Sequence, residues 1–294
     1  MNYSTDEIAF FAEQLRVNGY TVLPERLPAD LIERMRARFE LLLTETAARE
    51  PTNRGVSRYQ MFVPWEPPFA NPLLYENPGV LSVVEAAMEP DVTLRYFASD
   101  TPLPGSDYQQ VHSDTRLLFP ETALAVPCYG IVLNVPLVDC TVENGSLEFW
   151  PSTHLTPVRA DVDRLAATLP SARANLDAGS LLLRDLRMWH RGTPNRSNAP
   201  RPQLALVYTR PWYRFELAGP QLTHAEFDGL SDRAKRLLRQ VTLREPGAPT
   251  TGSEQLEGGA PPRSGGANSL RCGVLEYWSI GSVRTLHHSF RVVR

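Results

Sequence analysis

The sequence is poor in cysteine and lacks an apolar run of membrane length. Its 294 residues include only Cys128, Cys140 and Cys272, which show neither the pairing of a disulfide framework nor the spacing of a zinc site. No apolar stretch approaches the ~20 residues that span a bilayer, and the first residues lack the charged and apolar regions of a signal peptide. We therefore expect a soluble protein of the reducing cytoplasm that has no membrane partner.

Lysine and excess charge are also scarce. Lys235 is the only lysine among 30 basic residues, and the formal net charge is −3. Because no basic cluster carries interleaved aromatic residues, we expect no nucleic-acid partner. Hydrophobic residues make up 42% of the chain, which is enough for one large domain with a sizeable core.

The periodicity of the apolar residues predicts a β-rich centre with helices before and after it. Helices are expected after Thr5 and after Pro28, and over residues 77–88, 223–229 and 231–239. Strands are expected at about residues 20–23, 92–99, 109–114, 129–138, 146–149, 180–184 and 203–209. Many strands with Gly/Pro turns favour a sandwich or barrel, so we predict a mainly β fold with flanking helices, a double-stranded β-helix of the jelly-roll or cupin kind.

Composition divides the chain into three parts. We predict one domain over residues 1–245. It consists of a helical buttress at 1–90, a β core at about 92–213 and further helices at 223–240. Residues 246–271 are rich in proline and glycine and are predicted to be a flexible linker. Residues 272–294 are too apolar for a free tail, so we expect them to dock on the domain or on a partner subunit, as in a homodimer.

One short segment combines two metal-binding residue types. His112 and Asp114 stand two positions apart in a predicted strand. Side chains at i and i+2 of a strand leave from the same face, so one imidazole and one carboxylate converge on one point. A second histidine would complete the 2-His-1-carboxylate set that holds non-haem iron(II). A surface hydrogen bond gives the same His-x-Asp pattern, so the other histidines decide between the two interpretations.

His190 is the strongest candidate for that second histidine. It follows an apolar run at 179–185, typical of a buried strand, and precedes a turn at 191–195. From such a junction a side chain can enter the mouth of a barrel. The alternative is a histidine bonded to a backbone carbonyl beside Trp189. His154, at the end of a turn, a short strand and a loop, is a rival ligand that we interpret as structural.

The order and spacing of these residues resemble a known family. The matching segments are His112-x-Asp114, Asn144-Gly-x-Leu-x-x-x-Pro-x-x-His154, His190 before a Gly/Pro/Asn turn, and Arg201 eleven residues after His190. This pattern is similar to that of the phytanoyl-CoA dioxygenase family of iron(II)/2-oxoglutarate oxygenases, over roughly residues 8 to 213. The resemblance implies that residues 1–245 form an oxygenase domain.

The resemblance also implies roles for the residues that carry it. His112, Asp114 and His190 would be the catalytic metal ligands, which hold iron(II) and leave positions for 2-oxoglutarate and O2. Arg201 would bind the far carboxylate of 2-oxoglutarate, since a guanidinium offers a planar fork and stays charged when buried.

The cosubstrate site departs from the family pattern at one position. The family often carries a hydroxyl two residues after the distal histidine, where this chain has Gly192; Thr193 is the expected substitute, and the alternative is that the contact is absent. Gln110 would share a face with His112 in a regular strand and would then contact the cosubstrate or substrate. Arg196 and Arg210 remain competitors for the role of carboxylate-binding arginine.

The expected reaction is hydroxylation of a small molecule of the natural-product type, with release of succinate and CO2. Asp114 argues against halogenation, because related halogenases have Ala or Gly at the carboxylate position. Desaturation, epimerisation and rearrangement remain open, as do a zinc hydrolase and a non-catalytic jelly-roll binding protein. Four residues are candidates for substrate contact: Trp65, Tyr108, Arg116 and Trp212.

Overall fold

The structure is a computed structural model that describes residues 3–115, 117–119, 122, 124–156, 161–214 and 219–246. The predicted linker after residue 246 and the predicted docking segment 272–294 lie outside these residues, and so does any subunit contact they would make. Within the described residues, no helix is both long enough and apolar enough to cross a membrane.

Helices precede, interrupt and follow the strands. The helices are α1 (Thr5–Asn18), α2 (Ala29–Arg49), α3 (Pro72–Tyr75), α4 (Pro78–Ala87), a 3-10 turn (Thr153–Leu155), α5 (Val162–Ala166), α6 (His224–Asp228) and α7 (Asp232–Leu237). The strands are β1 (Tyr20–Arg26), β2 (Arg58–Phe62), β3 (Thr93–Pro102), β4 (Gly130–Pro136), β5 (Glu148–Phe149), β6 (Ala172–Arg173), β7 (Ser180–Asp185), β8 (His190–Arg191), β9 (Gln203–Thr209), β10 (Gln221–Thr223) and β11 (Thr242–Arg244).

Two antiparallel sheets form the centre of the fold. The larger sheet has the strand order β1-β7-β4-β9-β3-β2, and the smaller has the order β6-β5-β8. A parallel pair, β10 and β11, stands apart. Every residue of β4 and β7 is buried, as expected for central strands covered on both faces. The predicted fold class, mainly β with flanking helices around a jelly-roll-like core, is confirmed.

Helix α1 is capped at both ends by residues suited to that role. The Ser4 hydroxyl accepts from the Glu7 backbone N–H and the Glu7 carboxylate accepts from the Ser4 backbone N–H, which completes a capping box. The cap therefore lies one residue before the predicted Thr5. Gly19, at φ 82°, ends the helix in the left-handed region that glycine enters without strain.

One face of the larger sheet carries the core, and the other faces a cavity. On β9, Leu204 and Leu206 join the core cluster, whereas Gln203, Ala205 and Val207 line the cavity. This follows from the period of two in a strand, which sends successive side chains to opposite faces. The helices cover the apolar face, and the polar face remains available for chemistry.

The predicted strand at 109–114 is wrong. The segment has only an isolated antiparallel bridge, between His112 and His190. Its backbone N–H groups find separate acceptors: the Gln109 N–H donates to the Gly192 carbonyl and the Asp114 N–H donates to the Leu186 carbonyl. Because the neighbouring strand β8 has only two residues, no regular ladder extends along the segment.

The segment at 51–77, rich in proline and aromatic residues, belongs largely to the core. It contributes strand β2 and helix α3. Trp65 is buried, and its ring centroid lies 4.7 Å from that of Tyr75 and 6.4 Å from that of Phe97. Trp65 therefore supports the fold and does not reach the cavity.

Helix α2 provides a test of the packing. Phe39 is 0% exposed in the core cluster, whereas Leu41 on the same helix is 59% exposed. We expect Phe39→Ala to lower the free energy of unfolding by about 3–5 kcal/mol, because it leaves a cavity. Leu41→Ala, the matched control, should change it by less than about 0.5 kcal/mol. Urea denaturation followed by circular dichroism measures both, and equal losses would contradict this assignment of the core.

Candidate metal centre and active site

Three side chains from two segments converge at one end of the cavity. One ligand atom from each of His112, Asp114 and His190 lies within 4.8 Å of the others. In the described part of the chain, these are the only three His, Cys, Asp or Glu side chains grouped closely enough to hold a metal ion. The two backbone hydrogen bonds between His112 and His190, at 3.0 and 2.9 Å, bring the segments together.

Hydrogen bonds orient both imidazoles toward a common point. The Nδ1 atom of His112 is 2.8 Å from the Gln110 carbonyl oxygen, and that of His190 is 3.0 Å from the Met188 carbonyl oxygen. Arg184 Nη1 lies 3.4 Å from the same His190 nitrogen. The carbonyl is closer and can only accept, so Nδ1 carries the proton. Each Nε2 then keeps its lone pair for a metal ion, as metal-binding histidines require.

The charges of the group also suit a cation. Burial lowers the pKa of His112 to about 4, with His190 adding to the effect, so its ring is neutral near pH 7. Burial alone would raise the pKa of Asp114, but Arg184 and the two histidines outweigh it and hold that pKa well below its usual range. Two histidines and one carboxylate are the donor set for non-haem iron(II), so the residues fit the ion.

Arg184 orients the carboxylate ligand from the sheet. Its Nη2 donates to Asp114 Oδ2 at 2.6 Å, and its Nε donates to Asn134 Oδ1 at 3.1 Å. The ion pair leaves the other oxygen, Asp114 Oδ1, 3.3 Å from Nε2 of His190. Sequence reasoning missed Arg184 and Asn134. Each interrupts an otherwise apolar strand, and that interruption is the signal that could have identified them.

The cavity beside the ligands has a volume of about 610 Å³, suitable for a cosubstrate and a small organic substrate. Polar residues of the sheet line it next to the ligands, among them Asp100, Asn134, Arg184 and Gln203. On other segments, Arg54 and Tyr213 also contribute to its wall.

Arg201 contacts two residues of this wall, Gln203 and Asp100, but does not line the cavity itself. It is 1% exposed, and its guanidinium donates to Gln203 Oε1 at 3.1 Å and to the Gly145 carbonyl at 2.9 Å. Its Nε is buried and has no hydrogen-bond partner in the structure. The side chain of Asp100 lies 3.7 Å from its Nη2. A buried guanidinium with an unused donor fits the carboxylate of a cosubstrate.

The other predicted cosubstrate residues lie elsewhere. Gln110 is exposed and does not line the cavity, whereas its neighbour Gln109 does, because the segment is not a regular strand. The Thr193 hydroxyl donates to the Ser146 carbonyl at 2.9 Å and accepts from Arg173 at 2.6 Å. Thr193 is therefore engaged outside the cavity.

None of the predicted substrate residues that the structure describes lines the cavity. Trp65 is in the core, and Trp212 is exposed beside Tyr213, which does line it. Tyr108 is exposed and stacks beneath the guanidinium of Arg191, at 4.4 Å from the ring centroid. Arg116 lies outside the described residues.

Fold and site together define an oxygenase of the mononuclear non-haem iron class that uses 2-oxoglutarate as its cosubstrate. The sequence matches the family of phytanoyl-CoA dioxygenases (PhyH) over residues 15–203. Because that match covers more than half of the chain, the protein belongs to the phytanoyl-CoA dioxygenase family.

Solved structures share the fold at low sequence identity. AviO1 from Streptomyces viridochromogenes Tue57 is 21% identical, with a TM-score of 0.56 over 71% of this chain and 98% of that one. EctD from S. alaskensis, a structure with bound Fe, is 20% identical, with a TM-score of 0.53 over 74% of this chain and 80% of that one. The epimerase SnoN, in complex with Fe3+, alpha ketoglutarate and nogalamycin RO, is 19% identical. Its TM-score is 0.54 over 70% of this chain and 84% of that one.

A pair of histidine variants tests the metal centre. His154, the rival ligand, is buried, and its Nε2 donates to the Arg16 carbonyl at 3.1 Å, outside the group of three. We expect His112→Ala to reduce bound iron(II) from about one per chain to near zero, since a ligand is removed. His154→Ala should retain the iron of the unmodified protein, even if its stability falls. Elemental analysis after anaerobic loading gives the stoichiometry, and iron loss confined to His154→Ala would place the metal elsewhere.

Proposed function

We propose that the protein hydroxylates a small organic molecule of the natural-product type at the His112/Asp114/His190 centre, with conversion of 2-oxoglutarate and O2 to succinate and CO2. The observation that carries this proposal is the convergence of the three ligand atoms within 4.8 Å beside a cavity of about 610 Å³. Membership of the dioxygenase family supports it.

The proposed division of labour follows from the contacts. Iron(II), when bound, supplies the activation of O2, coupled to decarboxylation of the 2-oxo acid. The protein holds the ion through His112, Asp114 and His190 and orients the carboxylate through Arg184. Arg201 is proposed to receive the far carboxylate of 2-oxoglutarate, since its Nε has no partner and its hydrogen bonds to Gln203 and Gly145 go to neutral acceptors.

Epimerisation, desaturation and rearrangement are the alternative outcomes. They need the same three ligands, and two proteins with the same fold are a non-haem epimerase, SnoN, and a carbocyclase, SnoK, both from nogalamycin biosynthesis. The mass of the product separates the reactions. Hydroxylation adds one oxygen atom, desaturation removes two hydrogen atoms, and epimerisation or rearrangement alone leaves the mass unchanged.

The first test is anaerobic titration of the metal-free protein with iron(II) and then 2-oxoglutarate. We expect the weak visible charge-transfer band of a 2-oxo acid bound to iron(II), and no band in His112→Ala. Screening of small molecules for succinate release then identifies the substrate. Iron bound without any such band would overturn the proposed cosubstrate.

Arg201→Met tests the proposed carboxylate contact. We expect 2-oxoglutarate to bind about tenfold or more weakly, since a charge-assisted hydrogen bond contributes about 1.5–3 kcal/mol. 2-Oxopentanoate, which lacks the far carboxylate, should bind the variant and the unmodified protein equally. The visible band, titrated with each acid, measures both dissociation constants. Parallel weakening of both acids would assign Arg201 to the fold alone.

A further inference from the structure

An ion pair beside Arg201 places its carboxylate on the wall of the cavity. Arg58 on β2 is 1% exposed, and its Nη1 donates to Asp100 Oδ2 on β3 at 2.9 Å. The side chain of Asp100 is 32% exposed and lines the cavity. Neither Arg58 nor Arg201 lines the cavity itself, so this carboxylate is the part of the cluster that an entering anion meets first.

Two guanidinium groups compete for one carboxylate oxygen. Asp100 Oδ2 lies 2.9 Å from Arg58 Nη1 and 3.7 Å from Arg201 Nη2. The shorter contact is a direct hydrogen bond, and the longer one is not. Arg201 donates to the neutral oxygens of Gln203 and Gly145, and the Asp100 carboxylate lies beyond direct hydrogen-bond distance from it.

The backbone at Gly192 allows Arg58 to hold this position. A Cβ atom at Gly192 would lie 2.6 Å from three atoms of the Arg58 guanidinium, closer than real contacts permit. Arg58 Nη2 also donates to the Thr193 carbonyl at 3.1 Å. The Arg58 guanidinium thus occupies the space that a side chain at position 192 would take. At this position the family often has a hydroxyl, for which Thr193 was the expected substitute.

The cluster carries an excess positive charge. Burial alone would raise the pKa of Asp100, but Arg58 and Arg201 outweigh it and lower that pKa, so the carboxylate is ionised. One carboxylate therefore faces two guanidinium cations. A buried excess charge is costly unless an anion pairs with it.

We propose that Arg58 is a positioning residue: by binding Asp100 it holds this acid beyond hydrogen-bond distance from Arg201, so that Arg201 can receive the far carboxylate of 2-oxoglutarate. The inference rests on the proposed function and adds Arg58, Asp100 and Gly192 to it. Without Arg58, the Asp100 carboxylate would pair with Arg201 and exclude the carboxylate of the cosubstrate.

Three variants separate this role from simple support of the fold. We expect Arg58→Met to weaken binding of 2-oxoglutarate about tenfold or more, since the Asp100 carboxylate then pairs with Arg201. Asp100→Asn should bind 2-oxoglutarate at least as tightly as the unmodified protein, because a negative charge beside the site is removed. The double variant Arg58→Met/Asp100→Asn should regain most of the affinity lost in Arg58→Met.

Anaerobic titration of the iron(II)-loaded protein, followed by the visible band, measures each affinity for 2-oxoglutarate and for 2-oxopentanoate. The affinity for 2-oxopentanoate should not change in any of these variants. Arg187→Met is the matched control: it breaks another buried arginine–aspartate pair, 2.7 Å from Asp185, whose members do not line this cavity. It should lower thermal stability and leave both affinities unchanged.

The outcomes distinguish this inference from the proposed function. If the unmodified protein gives no band with 2-oxoglutarate, the proposed function fails. If it does, and Arg58→Met binds 2-oxoglutarate equally well or is not rescued by Asp100→Asn, the inference alone is overturned. Should Arg58→Met not fold, Asp100→Asn still decides, since weaker binding of 2-oxoglutarate by that variant would contradict the competition between the two arginines.

Discussion

Two backbone hydrogen bonds between His112 and His190 are the constraint on which the site depends. They join an irregular segment to the two-residue strand β8 and place the imidazole centroids 4.4 Å apart. Because the bonds are made by the backbone, they fix the ligand segments whatever the side chains do. Asp114 follows two residues later, and Arg184 reaches it from the sheet. The candidate metal centre therefore forms where two chain segments meet, each held by its own neighbours.

The polar face of the larger sheet carries more buried charge than stability requires. Arg184 pairs with Asp114, and Arg58 pairs with Asp100 beside Arg201. Buried ion pairs contribute little net stability, because desolvation of the ions opposes their attraction. Their concentration around one cavity is better explained by chemistry, since a metal ion and a dicarboxylate need fixed charges of both signs. The opposite face of the same sheet, packed against α2, supplies the apolar core that supports this arrangement.

Local sequence patterns predicted most of the fold, and the failures have physical causes. Strands such as β7 and β9 were predictable because apolar runs and turn residues determine them locally. The segment 109–114 was not, since its hydrogen-bond partners are scattered over β8 and its neighbours. That irregularity explains why Gln109, and not Gln110, lines the cavity. Arg58 could not be anticipated at the site, because it reaches Thr193 only after the chain has formed two sheets.

The sequence by itself determined the residue types of the metal site, the family and the predominance of strands, because each is encoded in short patterns of spacing and periodicity. His112, Asp114 and His190 could be named as candidate ligands from those patterns, and Arg201 from the resemblance to the family. Only the tertiary structure decided which side chains surround them: Asn134 and Arg184 behind the carboxylate ligand, and Arg58 and Asp100 before Arg201. These contacts join residues far apart in the chain, and strand pairing and burial establish them, which no local pattern records.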